Sequence, residues 1–288
     1  MYGLNAAGVP TVPVKVDAAG ALCGSANAKY QAISSTLPTP VAKFTVPAPG
    51  SLPANGIVVA ANGGSDYFYV PGHDAATVKN LIKFLQQRQE YGAIFVDSRY
   101  GAIPGTLTMA MVNLENASRQ NNGQPDVVVS FNWDDTTSIQ GMVGIEFESS
   151  GGQRGMHGSF GIADVHNTLI ANGPSFTATT VAGPSGNVDV APTVAYLLGL
   201  AMPQADGRIL NEALVTPASK STPSVAASTV TPASAATGLR FELPTDPSGA
   251  TADTTMSGGS YTINLAVKDL TVDGKTYRYF DYAKAVRQ

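Results

Sequence analysis

Asp74-Ala-Ala-Thr-Val-Lys-Asn-Leu-Ile-Lys-Phe-Leu-Gln-Gln-Arg-Gln-Glu-Tyr-Gly-Ala-Ile-Phe-Val-Asp97 is the stretch whose reading decides the fold. Val78, Leu81, Ile82 and Leu85 recur at the i, i+3, i+4, i+7 spacing of one helix face, while Lys79, Lys83, Gln86 and Gln87 cover the other. Asp74 offers the carboxylate that an N-cap needs, so a helix is expected over 75–90, with Gly92 as its stop. Ala93-Ile-Phe-Val-Asp97 then reads as a buried strand. Just upstream, Gly56-Ile-Val-Val-Ala-Ala-Asn62 and Ser65-Asp-Tyr-Phe-Tyr-Val70 read as strands, bounded by Asn62-Gly63-Gly64 and Pro71-Gly72. Strand, helix, strand is the pattern of a layered α/β domain.

Outward from this unit the signals are weaker. Residues 1–56 carry prolines at 10, 13, 38, 40, 47, 49 and 53, which interrupt every helix candidate longer than 21–35, so this segment is expected to be irregular. Thr106–Leu114 fits strand or helix. Pro125-Asp-Val-Val-Val-Ser-Phe131 and the short run Thr168-Leu-Ile-Ala171 read as strands, and 187–199 as a helix with Pro192 in its first turn and Gly199 as its stop. From 216 to 238 the composition turns to Ala, Ser, Thr, Val and Pro with one charge, Lys220, and an extended linker is expected. Residues 239–288 read as β-rich, with Asp273-Gly274 as a two-residue hairpin turn. The aromatics beyond it, Tyr277, Tyr279, Phe280 and Tyr282, are expected to pack back on the main domain rather than to form a carbohydrate-binding face.

Composition narrows the function classes. Only 13% of the 288 residues are charged, about half the usual share, and the net charge is −4. The scattered Lys and Arg leave no electrostatic footprint for nucleic acid. No run of about 18 apolar residues marks a transmembrane span. A single cysteine, Cys23, cannot form an internal disulfide and reads as a small structural thiol. Met1–Gly8 has neither the basic nor the apolar region of a signal peptide, so the chain either stays inside the cell or begins downstream of its true start; the second is expected.

Candidate chemistry gathers in Arg154-Gly-Met-His-Gly-Ser-Phe160 and Asp164-Val-His-Asn167. Seven glycines between Gly141 and Gly161, Gly155 and Gly158 among them, allow a loop that wraps closely around a small charged group. His157 at its centre suits a metal ligand or a hydrogen-bonded structural histidine. Gly155, Gly158, Asp164 and His166 are the candidate pocket residues around it. His73 reads as part of a helix start, His166 as a hydrogen-bonding residue, and Asp134, Asp135, Glu146 and Glu148 as solvated or structural carboxylates. Neither a Gly-x-Ser-x-Gly elbow nor a phosphate-binding glycine loop in strand–helix context is present.

The ordered series Gly155-Met-His-Gly-Ser-Phe160, Asp164–Phe176, Asn187–Leu200 and Ala205-Asp-Gly-Arg-Ile-Leu210 resembles the C-terminal portion of the alkaline phosphatase superfamily, in its type I phosphodiesterase/nucleotide pyrophosphatase branch. The resemblance covers about 125–215 and extends in outline to the strands from 57. It implies a three-layer α/β/α sandwich over 1–215, with 239–288 as a small β extension. It also implies two divalent metals, usually zinc, at the C-terminal edge of the sheet, and a phosphate-ester small molecule as substrate. The His of the family's late His-Gly pair ligates one metal, which maps onto His157 alone. The family's nucleophile and its remaining ligands have no counterpart in 1–153, so no competent site is expected here, and a missing N-terminal half is the implied partner. By resemblance the protein is periplasmic or secreted. The rival readings are a non-catalytic binding or structural module derived from that fold, and a sulfatase-like hydrolase.

Overall fold

The computed structural model describes residues 56–88, 90–115, 123–139, 142–146, 157–236, 239–240, 256–257 and 259–288, and all counts below concern these. The expected irregularity of 1–56 and the residue Gly155 lie almost wholly or wholly outside them. The chain divides into two units. The first comprises 1–164, 231–264 and 283–288, and the second 165–230 and 265–282.

In the first unit, β1 (Val58–Ala61) and β2 (Ser65–Tyr69) form an antiparallel hairpin, Val58 opposite Tyr69 and Ala61 opposite Asp66. Gly63 turns it at φ 70°, a conformation that glycine adopts without strain. Helix α1 (Ala75–Gln86) follows, capped by the Asp74 carboxylate, which accepts from Thr77 N at 2.7 Å. Its buried face carries Val78, Leu81, Ile82 and Leu85, as the spacing requires. β3 (Tyr91–Val96), β4 (Leu107–Thr108) and β5 (Val127–Phe131) complete a five-stranded sheet in the order β1-β2-β5-β3-β4. The stretch 106–114 resolves into β4 and a 3-10 turn, Met109–Val112.

β2 and β3 both run antiparallel to β5 and hence parallel to each other, and β4 is parallel to β3. The strand–helix–strand unit is therefore present, with β5 inserted between its two strands. β5 is buried along its whole length, because neighbours on both sides consume its backbone polar groups and leave a continuous Val-Val-Val run to pack. β6 (Trp133–Ile139) and β7 (Met142–Glu146) form a separate antiparallel pair. The short α2 (Ile162–Val165) closes the segment.

Thr168–Ala171, expected as a strand, is irregular, with Leu169 52% and Ile170 83% exposed. A four-residue run with three apolar side chains has no strand character without a partner edge, and none of the described residues supplies one. In the second unit α3 (Val190–Leu197) follows a 3-10 turn at Asn187–Asp189 and stops at Gly199, φ 69°.

Residues 216–238, expected as a linker, carry β8 (Ser224–Val230) and β9 (Ala235–Ala236). The stretch is too poor in apolar residues to fold alone; its strands exist because a long neighbour supplies the hydrogen bonds. After the short pair β10 (Leu239–Arg240) and β11 (Met256–Ser257), that neighbour is β12 (Ser260–Val272), which pairs with β13 (Lys275–Arg287). β8 lies along 265–271 of β12 and β9 along 260–261. Asp273 (φ 52°) and Gly274 (φ 75°) make the turn, both at the positive φ that a two-residue hairpin of this twist demands.

Within the first unit the C-terminal strands are fastened to the sheet by polar side chains. Tyr261, fully buried, donates its hydroxyl to Gly92 O. Arg287 donates Nε to Gln86 O at 2.9 Å, at the end of α1, where carbonyls lack helical partners. Trp133 Nε1 donates to Ala283 O at 2.8 Å. The structure thus has mixed α/β content with few helices, and none of its described helices is long and apolar enough to cross a membrane.

Candidate functional site

The His157 loop is shaped by glycine on both sides of a close approach. Gly64 N donates to His157 O at 2.9 Å, and Phe131 N donates to Gly64 O at 2.9 Å, so the loop is stitched to the start of β2. A Cβ on Gly64 would stand 2.6 Å from Ser159 Cβ and 2.9 Å from Ser159 N, closer than any side chain tolerates. Gly158 sits at φ 86°, and a Cβ there would lie 2.8 Å from Asn62 Nδ2. Phe160 N donates to Ser130 Oγ at 2.9 Å while its ring packs tilted against Phe95, centroids 4.8 Å apart. Asp164 closes the loop, its Oδ2 accepting from Ser159 N at 3.4 Å. Residues 157–164 are thereby tied to the sheet, and His157 is exposed, with no imidazole hydrogen bond to a described residue.

Of the other candidates, Gly158 and Asp164 share this loop. His166 belongs to the second unit, where its Nε2 lies 2.6 Å from Asp281 Oδ1 and Lys268 Nζ meets the same oxygen at 2.7 Å. That carboxyl is held below its ordinary range: burial pushes it up, but Lys268 and then His166 outweigh burial. Asp135 pairs with Lys284 Nζ at 2.7 Å, a surface contact.

A second polar group, which the sequence reading did not assemble, occupies the opposite edge of the sheet, where β2, β3 and β4 end and β5 begins. Asp126, 1% exposed, accepts from Val70 N at 2.6 Å and pairs with His73 Nδ1 at 2.7 Å, and the Tyr100 hydroxyl donates to it. Asp97, fully buried, accepts from Arg99 N at 2.9 Å and Gln124 Nε2 at 3.2 Å, and pairs with the Arg99 guanidinium at 3.0 Å. His73 itself sits at φ 55° after Gly72 at φ 78°, a positive-φ pair that turns the chain out of β2. With Nδ1 fixed by a buried carboxylate, Nε2 of His73 is the nitrogen left to accept a proton or a ligand. The Tyr100 phenol is held above its ordinary range, by burial first and by the Asp126 hydrogen bond second. The available signal was an acidic residue flush against each apolar strand, at Val96-Asp97 and Asp126-Val127.

These two groups cannot share one ion. β2 spans five residues between them, roughly 17 Å of strand, whereas ligands lie about 2–2.5 Å from one metal and paired metals about 4 Å apart. The resemblance implies metals at the carboxyl edge; His157 lies at the amino end of β2 because Gly64 and Ser130 are its anchors. Among the described residues no three or more His, Cys, Asp or Glu side chains gather to hold a metal, and a single imidazole does not make a zinc site. A cleft of about 420 Å³ between β1 and α1 is lined by Ile57, Val59, Phe68, Leu81 and Phe84 and contains no acid or base. No family model, no curated protein and no solved structure matches this chain.

Proposed function

We propose that the chain is a relative of the metal-dependent phosphoric ester hydrolases of the alkaline phosphatase type, in which His157 contributes one metal ligand and turnover requires donors beyond those gathered here. The observation that carries this reading is the His157-Gly158 pair. Its glycine is required by a close approach to Asn62, and its imidazole is exposed to solvent. The order of the four late motifs supports the family, and the mixed sheet with α1 against it supports an α/β framework, of which the three-layer form is part of the proposal. Zinc as the metal, a phosphate ester as the ligand, and export to the periplasm or beyond belong to the same proposal.

The test is elemental analysis of the dialysed 288-residue chain and of His157→Ala, with turnover of bis(p-nitrophenyl) phosphate measured beside it. Less than one equivalent of metal and no hydrolysis above buffer are expected. About two equivalents, lost on His157→Ala, would mean a complete site exists and overturn the proposal. Zinc titration followed by imidazole NMR checks the ligand separately. A His157 signal that ignores added zinc rejects its role.

A further inference from the structure

We infer that residues 50–54 dock as an added strand on the free edge of β1 and close the β1–α1 cleft with Leu52. The strand order leaves β1 at an edge of its sheet, and its side chains are mostly exposed, Val59 at 41%. Such an edge presents outward N–H and C=O groups that pair with an extended segment. Residues 1–55 lead into the sheet at this edge, through Gly56 and Ile57, and Ile57 itself lines the cleft. A segment tethered there meets the edge at the high effective concentration of an intramolecular partner.

Sequence and register together pick out the segment. Asn55-Gly56 is the dipeptide preferred in a two-residue hairpin turn. That turn sets residue 54 opposite Ile57, Leu52 opposite Val59 and Gly50 opposite Ala61, as pairs that exchange both backbone hydrogen bonds. It therefore demands that Ile57, Val59 and Ala61 aim their N–H and C=O groups away from β2. The β1–β2 hairpin has this phase. Asn62 N donates to Ser65 O at 2.9 Å, so by alternation Ala60 and Val58 also bond to β2, and 57, 59 and 61 face the open edge. The opposite phase would have ruled the strand out. The prolines obey the same alternation: Pro53 and Pro49 fall at the intervening positions, where the missing N–H would point to solvent. Cross-strand partners share a face of the sheet, which places Leu52 beside Val59, over a cleft lined by Phe68, Leu81 and Phe84. An aliphatic side chain fits a lining without acid or base. This inference is independent of the hydrolase reading.

Two measurements on the full chain test it. In amide hydrogen exchange read by NMR, Val59 and Ala61 of the wild type should exchange at least about tenfold more slowly than in a free chain. Leu52→Pro, which removes a ladder N–H, should abolish that protection and leave Val58 and Ala60, bonded to β2, unchanged. Thiol pairing reads the register, in a Cys23→Ser background. Ser51→Cys with Ala60→Cys puts two thiols at a non-hydrogen-bonded pair, where side chains come closest, and mild oxidation should link them within one chain. Ser51→Cys with Ala61→Cys, offset by one residue and on opposite faces, should stay reduced. The inference is overturned by free-chain exchange at Val59 and Ala61 in the wild type, or by a 51–60 pair that oxidises no faster than the offset pair. Disulfides that join two chains also overturn it, and would make a second copy the occupant of the edge.

Discussion

In the first unit Val78, Ile82, Ile94, Phe95, Val96, Val127 and Val129 are all at most 1% exposed, and Gln86 is the buried polar side chain of α1. In the second unit, twelve of the sixteen large apolar residues exposed among the described residues are found, and it buries a polar cluster as well as Leu265, Val267 and Leu270. There Arg208, 4% exposed, donates to both oxygens of Glu212 at 2.8 and 2.6 Å, to Pro184 O at 3.0 Å and to the Tyr279 hydroxyl at 2.9 Å. Tyr279 donates in turn to Asp189 at 3.0 Å, and Asp189 also accepts from Gly186 N and Arg208 N. Water exclusion, which is non-directional, dominates where α1 meets the sheet, whereas the Arg208 cluster is a satisfied polar network, which fixes one geometry and fails when a member is lost. The aromatic Tyr279 belongs to this network through its hydroxyl.

Removing the hub of the network should have the largest effect. Arg208→Leu is expected to cost about 3–5 kcal/mol in urea unfolding, because it strands the Glu212 carboxylate. Burial pushes that carboxyl up, but the Arg208 hydrogen bond outweighs it and leaves it below 4.5. A depressed carboxyl stabilises the folded state above its unfolded value, and the gain is lost as pH falls through the folded value. The gap between wild type and variant should therefore narrow below pH 4.5. Ile94→Ala comes next, at about 2–5 kcal/mol from lost burial and the residual cavity, and its gap should be indifferent to acid. If both gaps respond to pH alike, the contrast between the units fails.

Asp126→Asn should cost about 1–3 kcal/mol, the worth of hydrogen bonds to a buried charged group. In that variant the Tyr100 phenol should titrate nearer its ordinary 10.0, since the Asp126 contribution is gone while burial remains; spectrophotometric titration reads this directly. Asp281→Asn should be the mildest, at most about 1 kcal/mol at neutral pH, because His166 and Lys268 meet it near the surface. Its contribution should vanish on acidification through and below pH 3.8, by the same sign of linkage.

Local chemistry made α1, the β1–β2 hairpin and the Asp273-Gly274 turn legible, since periodicity, a capping carboxylate and positive-φ glycines act within a few residues. The same local logic misread Thr168–Ala171, whose three apolar residues have no partner edge, and it could not foresee β8, whose mostly exposed side chains carry no strand signal without β12. The carboxyl-edge group was illegible for a related reason. His73, Asp97 and Asp126 meet only because β5 inserts between β2 and β3, and the order of strands in a sheet is not written in any one strand.

By itself the sequence determined the elements that need no distant partner, and it singled out His157 through its flanking glycines. The tertiary structure alone decided which edge of the sheet that histidine faces, which carboxylates are buried beside His73, and which helix is left with an apolar face in water. Each of these depends on pairings between residues dozens of positions apart, where burial and hydrogen bonding are settled by the whole packed chain rather than by neighbours along it.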